Sequence, residues 1–428
     1  MSRGKKVLVL GNYRLTLTVI RSLGRAGYHV IVGSDMKRCF TDYCRYTNET
    51  WRHPSIKHDE SRFITALNKF LERSQDTPLI FPVGDSQISC ISRNLDRLPK
   101  SVVVAMPEPA TAMDCENKSR MQEVVAKLGI PQPKSEKACN LSELQMLVER
   151  IGCPAVIKPN DSLTPFFGEK AIIINSPDEL TESMPAWPEG HNHLLVQEFA
   201  RGERYNCQFI AVRGEIVCYF EYKVLRTDRR NDTGYLVEGI SAQPTPKLKM
   251  LSEALAQELE YSGAGCAQFF FDRTSGAVFF LEINPRLAAT CALPFHCGYD
   301  LPRLAVENAE YLAGTRSKPS EERRNYPIGK RTAWLMGDLE AIRRDVRAEK
   351  CNLPSALAWL GDSTMALLRT DCHVTWWWKD PLPSLVTLGR FLKSLFITPK
   401  VANHRIATSQ TSATRTYREL EKSGTGGS

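Results

Sequence analysis

The segment Phe279-Phe280-Leu281-Glu282-Ile283-Asn284-Pro285-Arg286 sets an acid, an amide and a cation at every second position behind a run of apolar residues. If that run is a β-strand, side chains two apart share a face, so Glu282 and Asn284 point the same way. A carboxylate beside an amide oxygen forms half of a Mg²⁺ site, which phosphate oxygens and water complete. Gln268, on the preceding strand of what reads as a hairpin, adds a third oxygen. Arg286 follows where a cation neutralises charge developing on a phosphoryl or tetrahedral group. Two lysines stand upstream, Lys118 at a helix start and Lys158 at the end of the apolar strand Pro154–Lys158. A lysine that ends a buried strand has a reason to be there if it meets phosphate. Val196 to Glu203 reads as a strand running into a loop, whose main chain suits an adenine edge and whose following carboxylate suits ribose hydroxyls.

The elements that position these residues fall into two patterns. In the first hundred residues strand and helix alternate, with strands expected at Val7–Leu10, Tyr28–Val32, Leu79–Val83 and Ser101–Ala105. Short, continuous apolar runs of this kind are buried on both faces, as in a parallel, doubly wound sheet. Ligands of such sheets bind beyond the strand C-termini, where Gly11 and Val83-Gly84-Asp85 lie. Asp85 there suits a substrate amine, and Gly11-Asn12-Tyr13-Arg14-Leu15 reads either as substrate contact or as a structural turn; it is not a dinucleotide fingerprint. After Pro107 and Pro109 come a helix over 117–128, stopped by Gly129-Ile130-Pro131, and a second over 141–151. Strands are then expected at 194–197, 206–212, 215–221, 267–271 and 278–283, with a helix at 248–259 among them. Lys223 and Arg226, flanked by acids, suit a substrate carboxylate or phosphates, or else a charged loop.

The ordered set Lys118, Gly129-Ile130-Pro131, Lys158, Gln197-Glu198-Phe199-Ala200, Glu203, Gln268 and Glu282-Ile283-Asn284-Pro285-Arg286 resembles the ATP-grasp superfamily, with the hairpin most similar to that of the carbamoyl phosphate synthetase large subunit. The resemblance covers about residues 1 to 315. It implies an α/β chain: an ATP-grasp fold preceded by a Rossmann-like, parallel-sheet pre-ATP-grasp domain and followed by a C-terminal extension. The implied domains are 1–110 and 111–318; beyond them the sequence itself reads as an extension over 319–405 and, from its polar composition, a disordered tail over 406–428. Lys118 and Lys158 would contact ATP phosphates, Gln197, Glu198, Phe199 and Ala200 would line the adenine pocket, and Glu203 would hold the ribose. Gln268, Glu282 and Asn284 would hold Mg²⁺ or Mn²⁺, and Arg286, with Lys158, would act in catalysis. The implied reaction activates a carboxylate as an acyl phosphate and joins it to an amine, releasing ADP and phosphate. One departure stands out: where the family has a glycine- and serine-rich lid, this chain has Pro159-Asn160-Asp161-Ser162-Leu163-Thr164-Pro165-Phe166-Phe167-Gly168-Glu169-Lys170, with one glycine. Few amides turn toward phosphate without glycine's freedom at positive φ. That departure keeps a nucleotide-binding pseudoenzyme as the alternative.

Bulk properties limit the other classes. The formal charge of +8, from 56 Lys and Arg against 48 Asp and Glu, suits phosphate-bearing ligands or no partner at all. No tract resembles an RNA-binding or zinc-finger signature, so no nucleic-acid partner is expected. Thirteen scattered cysteines without a Cys-x-x-Cys pair favour reduced thiols and a cytoplasmic protein. The tail carries Trp376-Trp377-Trp378-Lys379 and then a basic amphipathic stretch over 381–400, a pattern that fits either peripheral membrane contact or packing on this protein's own body or on a second copy in a homodimer.

Overall fold

The computed structural model describes residues 4–74, 76, 78–159, 166, 171–229, 233–348 and 350–396. The chain divides into two compact units, Met1–Val386 and Thr387–Ser428; the described part of the second is the run of helix from 387 to 396.

The first sheet is parallel, with strands β1 (Lys6–Leu10), β2 (His29–Ser34), β3 (Glu49–Arg52) and β4 (Leu79–Pro82) in the order β3-β2-β1-β4. Its middle strand feeds two separate cores: Val7 and Val9 pack with Leu15, Val19 and Leu23, while Leu8 and Leu10 pack with Phe63, Ile64 and Leu67. Burial on both faces is why the run is uninterruptedly apolar. The edge strand β3, with Glu49, Thr50 and Arg52 exposed, carries no such run. The expected strand over 101–105 shrinks to one parallel bridge, Ile80 with Val104. Turns at both ends, Val102 N–H to Pro99 O and Met106 N–H to Val104 O, leave the chain too short for a ladder.

A small sheet follows, built of β5 (Ser135–Ala138), β6 (Ala155–Pro159), β7 (Ile172–Ile174) and β8 (Leu194–Glu198), in the order β5-β8-β6-β7 and antiparallel throughout. The helix Leu141–Ile151 covers it with Leu144, Leu147 and Val148. The large sheet comprises β9 (Glu203–Val212), β10 (Glu215–Thr227), β11 (Leu236–Ser241), β12 (Gly263–Phe271), β13 (Val278–Asn284), β14 (Arg331–Ala333) and β15 (Cys372–His373), in the order β13-β12-β9-β10-β11-β14-β15. Gly202, at φ +123°, lets the chain enter β9 against Phe271: a Cβ there would lie 2.8 Å from the Phe271 carbonyl carbon. Helices Lys118–Lys127 and Pro246–Glu258 cover one face, and Leu301–Leu312 covers the other, sharing a core with Val7, Val9 and Leu15 of the first sheet's layer.

The chain beyond 318 does not stand apart from this sheet, as an extension after a linker would. Glu322 N–H bonds to Val217 O, Tyr326 accepts from Glu221 N–H and donates to Ala242 O, and β14 and β15 extend the large sheet. The charged residues here pair their side chains, Arg323 with Glu215 and Arg324 with Glu322, while Glu322 N–H ties the backbone to β10. The tryptophans also have an internal use. Trp377 stacks on Tyr46 at 6.1 Å between centroids, with the Arg21 and Arg25 guanidiniums over its ring. Membrane contact is therefore not needed to explain Trp377, and no helix among the described residues is long and apolar enough to cross a membrane. All thirteen cysteines are free thiols.

Just past Trp377, Asp380 docks the end of this unit on the first sheet's layer. Its carboxylate accepts from Arg21 Nε at 2.9 Å and from the backbone N–H of Arg45, and both charged side chains are almost wholly buried. Removing one partner of a buried pair strands the other charge and costs about 3–5 kcal/mol. Asp380→Ala is therefore expected to lower unfolding stability by about 3 kcal/mol or more in urea titrations; a loss under about 1 kcal/mol would mean the pair is solvated.

Candidate active site

Strand register assembles a polar row from four separate stretches of sequence. Tyr222 on β10 stands opposite Asn206 on β9, Asn206 opposite Gln268 on β12, and Gln268 opposite Glu282 on β13. One step along, Gln208 faces Cys266, which faces Asn284. Directly paired residues share a face, so Asn206, Gln208, Gln268, Glu282 and Asn284 line one side of the sheet. The row opens outward: Asn206 and Gln208 are buried, Gln268 and Asn284 half-buried, and Glu282, on the edge strand, exposed. Among the described residues Asn206 Oδ1 and Gln208 Nε2 are buried without a hydrogen-bond partner, although Gln208 Oε1 accepts from Ala288 N–H. Asn284 Nδ2 donates to Glu282 Oε1 at 3.0 Å.

Lys158 arrives from the small sheet and Lys118 from the start of the helix Lys118–Lys127. Lys158 Nζ donates to Gln197 Oε1 at 2.9 Å, and Lys118 Nζ donates to Pro159 O at 3.0 Å, which brings the helix start and the end of β6 together. Burial pulls the Lys158 ammonium down to about 8; the Lys118 charge adds to that, and Glu282 opposes it. The charges of Lys118 and of Glu282, the outermost acid of the polar row, thus both reach Lys158, though the three residues come from different elements.

Arg286 sits beside this group and is held in a fork: Nε to Asp85 Oδ1 at 2.5 Å and Nη2 to Asp85 Oδ2 at 2.9 Å. Desolvation would lower its pKa, but the Asp85 hydrogen bond and charge outweigh it and raise it, with Glu282 contributing. Asp85 comes from the carboxyl edge of the parallel sheet, one residue past Gly84 at the start of the helix Asp85–Asn94. The acid expected to meet a substrate amine is thus engaged with the arginine.

The other expected residues divide. Glu203 and Lys223 pair with each other at 2.5 Å, and Tyr205 also donates to Glu203. Arg226 is not free for substrate: both its terminal nitrogens hold Asp338, and Glu238 lies 3.5 Å from Nε. The acids flanking it in sequence are not its partners, so the fork could not be foreseen. Gln197 and Glu198 end β8, Phe199 is partly exposed and Ala200 buried. Of the glycine-poor lid, residues 160–165 and 167–170 lie outside the described residues; Phe166 is buried in the small sheet's core, edge-on to His191. Asn206 and Gln208 were not singled out from sequence. Polar residues alternating with apolar ones in a buried strand were the available signal.

The donor chemistry suits a magnesium–phosphate complex. No group of three or more His, Cys, Asp or Glu among the described residues could cage a metal alone. One carboxylate with neighbouring amide oxygens leaves most positions to ligand phosphates and water, which Mg²⁺ prefers. Lys118 and Lys158 oppose that acid where phosphates need cations.

Comparison with known proteins agrees. Residues 117–310 match the family "Carbamoyl-phosphate synthase L chain, ATP binding domain". The carbamoyl phosphate synthase large chain of Deinococcus radiodurans is 23% identical over 289 residues, covering 65% of this chain and 27% of that protein. The chain spans about a quarter of the length of the curated relatives it matches. Among solved structures, the biotin carboxylase domain of Hydrogenobacter thermophilus 2-oxoglutarate carboxylase, a dimer with MgADP and bicarbonate, matches with a TM-score of 0.58 at 18% identity, covering 77% of this chain and 74% of that one. The L-amino acid ligase of Bacillus licheniformis matches with a TM-score of 0.55 at 14% identity, covering 72% and 75%.

The Lys158 value carries its own test. A lysine held at about 8, against 10.5 for the ordinary group, opposes folding below pH about 8, and that penalty fades as pH rises from about 8 to 10.5. Glu282→Gln deletes the opposing charge, so Lys158 should titrate lower still. Amine labelling of Lys158, followed against pH by mass spectrometry, should show a midpoint near 8 in the wild type and a lower one in the variant. An unchanged midpoint would mean that Glu282 does not reach the lysine.

Proposed function

We propose that the chain is an ATP-grasp ligase that activates a carboxylate as an acyl phosphate and joins it to an amine, a reading supported by the family match over residues 117–310. ATP with Mg²⁺ is the nucleotide that ATP-grasp domains bind. The observation that carries the reading is the meeting of Lys118 and Lys158 at the end of β6 together with the row of Gln268, Glu282 and Asn284 on β12 and β13, because phosphoryl transfer demands positioning and charge neutralisation more than a protein nucleophile.

In this reading Lys118 and Lys158 grip the phosphates, and binding of those anions returns Lys158 to full charge. Gln268, Glu282 and Asn284 hold the metal, which when bound neutralises charge between the phosphates. For Asn284 this requires turning its amide so that the oxygen, not the NH₂ now donated to Glu282, faces the ligand. Gln197 through Ala200 line the adenine, and Glu203 serves the ribose once its contact with Lys223 opens or is shared. Arg286, steadied by Asp85, neutralises the carboxylate as it takes the phosphoryl group. It then stabilises the tetrahedral adduct formed when the amine attacks the acyl phosphate, which collapses to the amide as phosphate leaves.

The same reading assigns residues 1–110 to a Rossmann-like pre-ATP-grasp domain, 111–318 to the nucleotide domain and 319–405 to a C-terminal extension, whose β14 and β15 join the large sheet. It takes small molecules as substrates, in the cytoplasm. A homodimer accords with the Hydrogenobacter neighbour, itself a domain dimer; the alignment with an L-amino acid ligase supports an amino-acid amine.

ADP release from MgATP, measured against pooled amino acids and other carboxylates, tests this. Release should require one carboxylate pool and fall at least about 100-fold in Glu282→Ala. Nucleotide binding without turnover on any pool would favour a pseudoenzyme.

A further inference from the structure

One cation near the site has no counter-ion within ion-pairing distance among the described residues. Arg14 lies past the carboxyl end of β1, at the edge of the parallel sheet where ligands of such sheets bind. Its guanidinium carbon sits 3.7 Å from the centre of the Trp334 ring and 5.7 Å from that of Tyr235. One nitrogen, Nη1, donates to Leu236 O at 3.2 Å. No carboxylate among the described residues lies within ion-pairing distance of it. The other arginines of this region are matched: Arg286 by Asp85, Arg226 by Asp338, Arg21 by Asp380.

The setting is built to hold it. Trp334 is tied by its backbone N–H to Val237 O, and its ring lies over Gly337, where a Cβ would come within 2.2 Å of it. The glycine is what allows the ring to lie flat under Arg14. Burial drives the Arg14 pKa down to about 10; Asp228, Tyr222 and Tyr235 oppose this without offsetting it, and Arg286 adds a like charge. Asp228 is itself committed, accepting from Tyr235 N–H with Arg344 close by. A half-buried guanidinium stacked on an aromatic wall, beside a second cation and without an acid, gains from any oxyanion that reaches its open edge.

We propose that Arg14, with Trp334 and Tyr235 as its wall, is a substrate subsite that binds an oxyanion group of the molecule joined or activated next to Arg286. This rests on the ligase reading for the word substrate, but the oxyanion site stands on Arg14's own surroundings. It also gives the segment beyond 318 a task, since that segment supplies Trp334.

Phenylglyoxal labelling of the wild-type protein, read arginine by arginine by mass spectrometry, tests the proposal. Arg14 should react ahead of Arg286, and malonate should slow its labelling about fivefold or more, as ligand well above its dissociation constant does, while neutral malonamide does not. Inorganic phosphate forms a second arm. Protection by malonate over phosphate assigns a carboxylate, and protection by phosphate alone assigns a phosphorylated substrate. Protection by neither, or equal protection by malonamide, overturns the site. Calorimetry of MgATP on the same protein reads the nucleotide site separately. If no MgATP binds, the ligase reading falls, whereas the labelling result decides Arg14 alone.

Discussion

Cross-strand register is the constraint on which the site depends. Glu282 faces the ligand side because it stands opposite Gln268, which stands opposite Asn206, and a slip of one residue would turn the whole row into the apolar core on the other face. That core, with Tyr205, Cys207, Phe209, Ala267, Phe269 and Ile283, is what forbids the slip. Packing on one side of the sheet thus fixes the chemistry on the other, and β13, as the edge strand, leaves Glu282 open to solvent and ligand.

Around this row the molecule distributes charge unequally. Arg286 is held in a fork by an acid from the parallel sheet, so its position is set by two layers at once and its charge is secure. Among the described residues Lys158 meets an amide oxygen and feels a more distant acid, and burial weakens its hold on the proton. Arg14 has aromatic rings and a carbonyl. Cations left short of counter-charge are poised for anionic ligands, whereas a satisfied cation acts as a fixed post. The Asp85 fork also ties the first sheet's layer to the hairpin, so geometry at Arg286 depends on how those layers pack.

Much of this was legible in the residues, and the limits have physical causes. Strand β1 and the β12–β13 hairpin announce themselves because long apolar runs and alternating polar positions leave few other folds. The helix over 141–151 begins after Asn140, whose side chain caps it, and ends before Gly152 at positive φ, so its bounds could be read. Short strands at or next to a sheet edge, such as β3, β14 and β15, could not, since two to four residues carry no period. The partners of Asp85 and Arg226 are 201 and 112 residues away, and no local pattern encodes them. Arg14 was visible only as part of a loop, because what marks it is an aromatic wall from residues 235 and 334, far away in sequence.

The account stands or falls on whether Lys118 and Lys158 face Glu282 across a magnesium-bound nucleotide. Calorimetric titration of the intact chain with ATP, with and without Mg²⁺, tests that directly. One site whose affinity depends on Mg²⁺ is the predicted result. No binding, or binding indifferent to the metal, would contradict it.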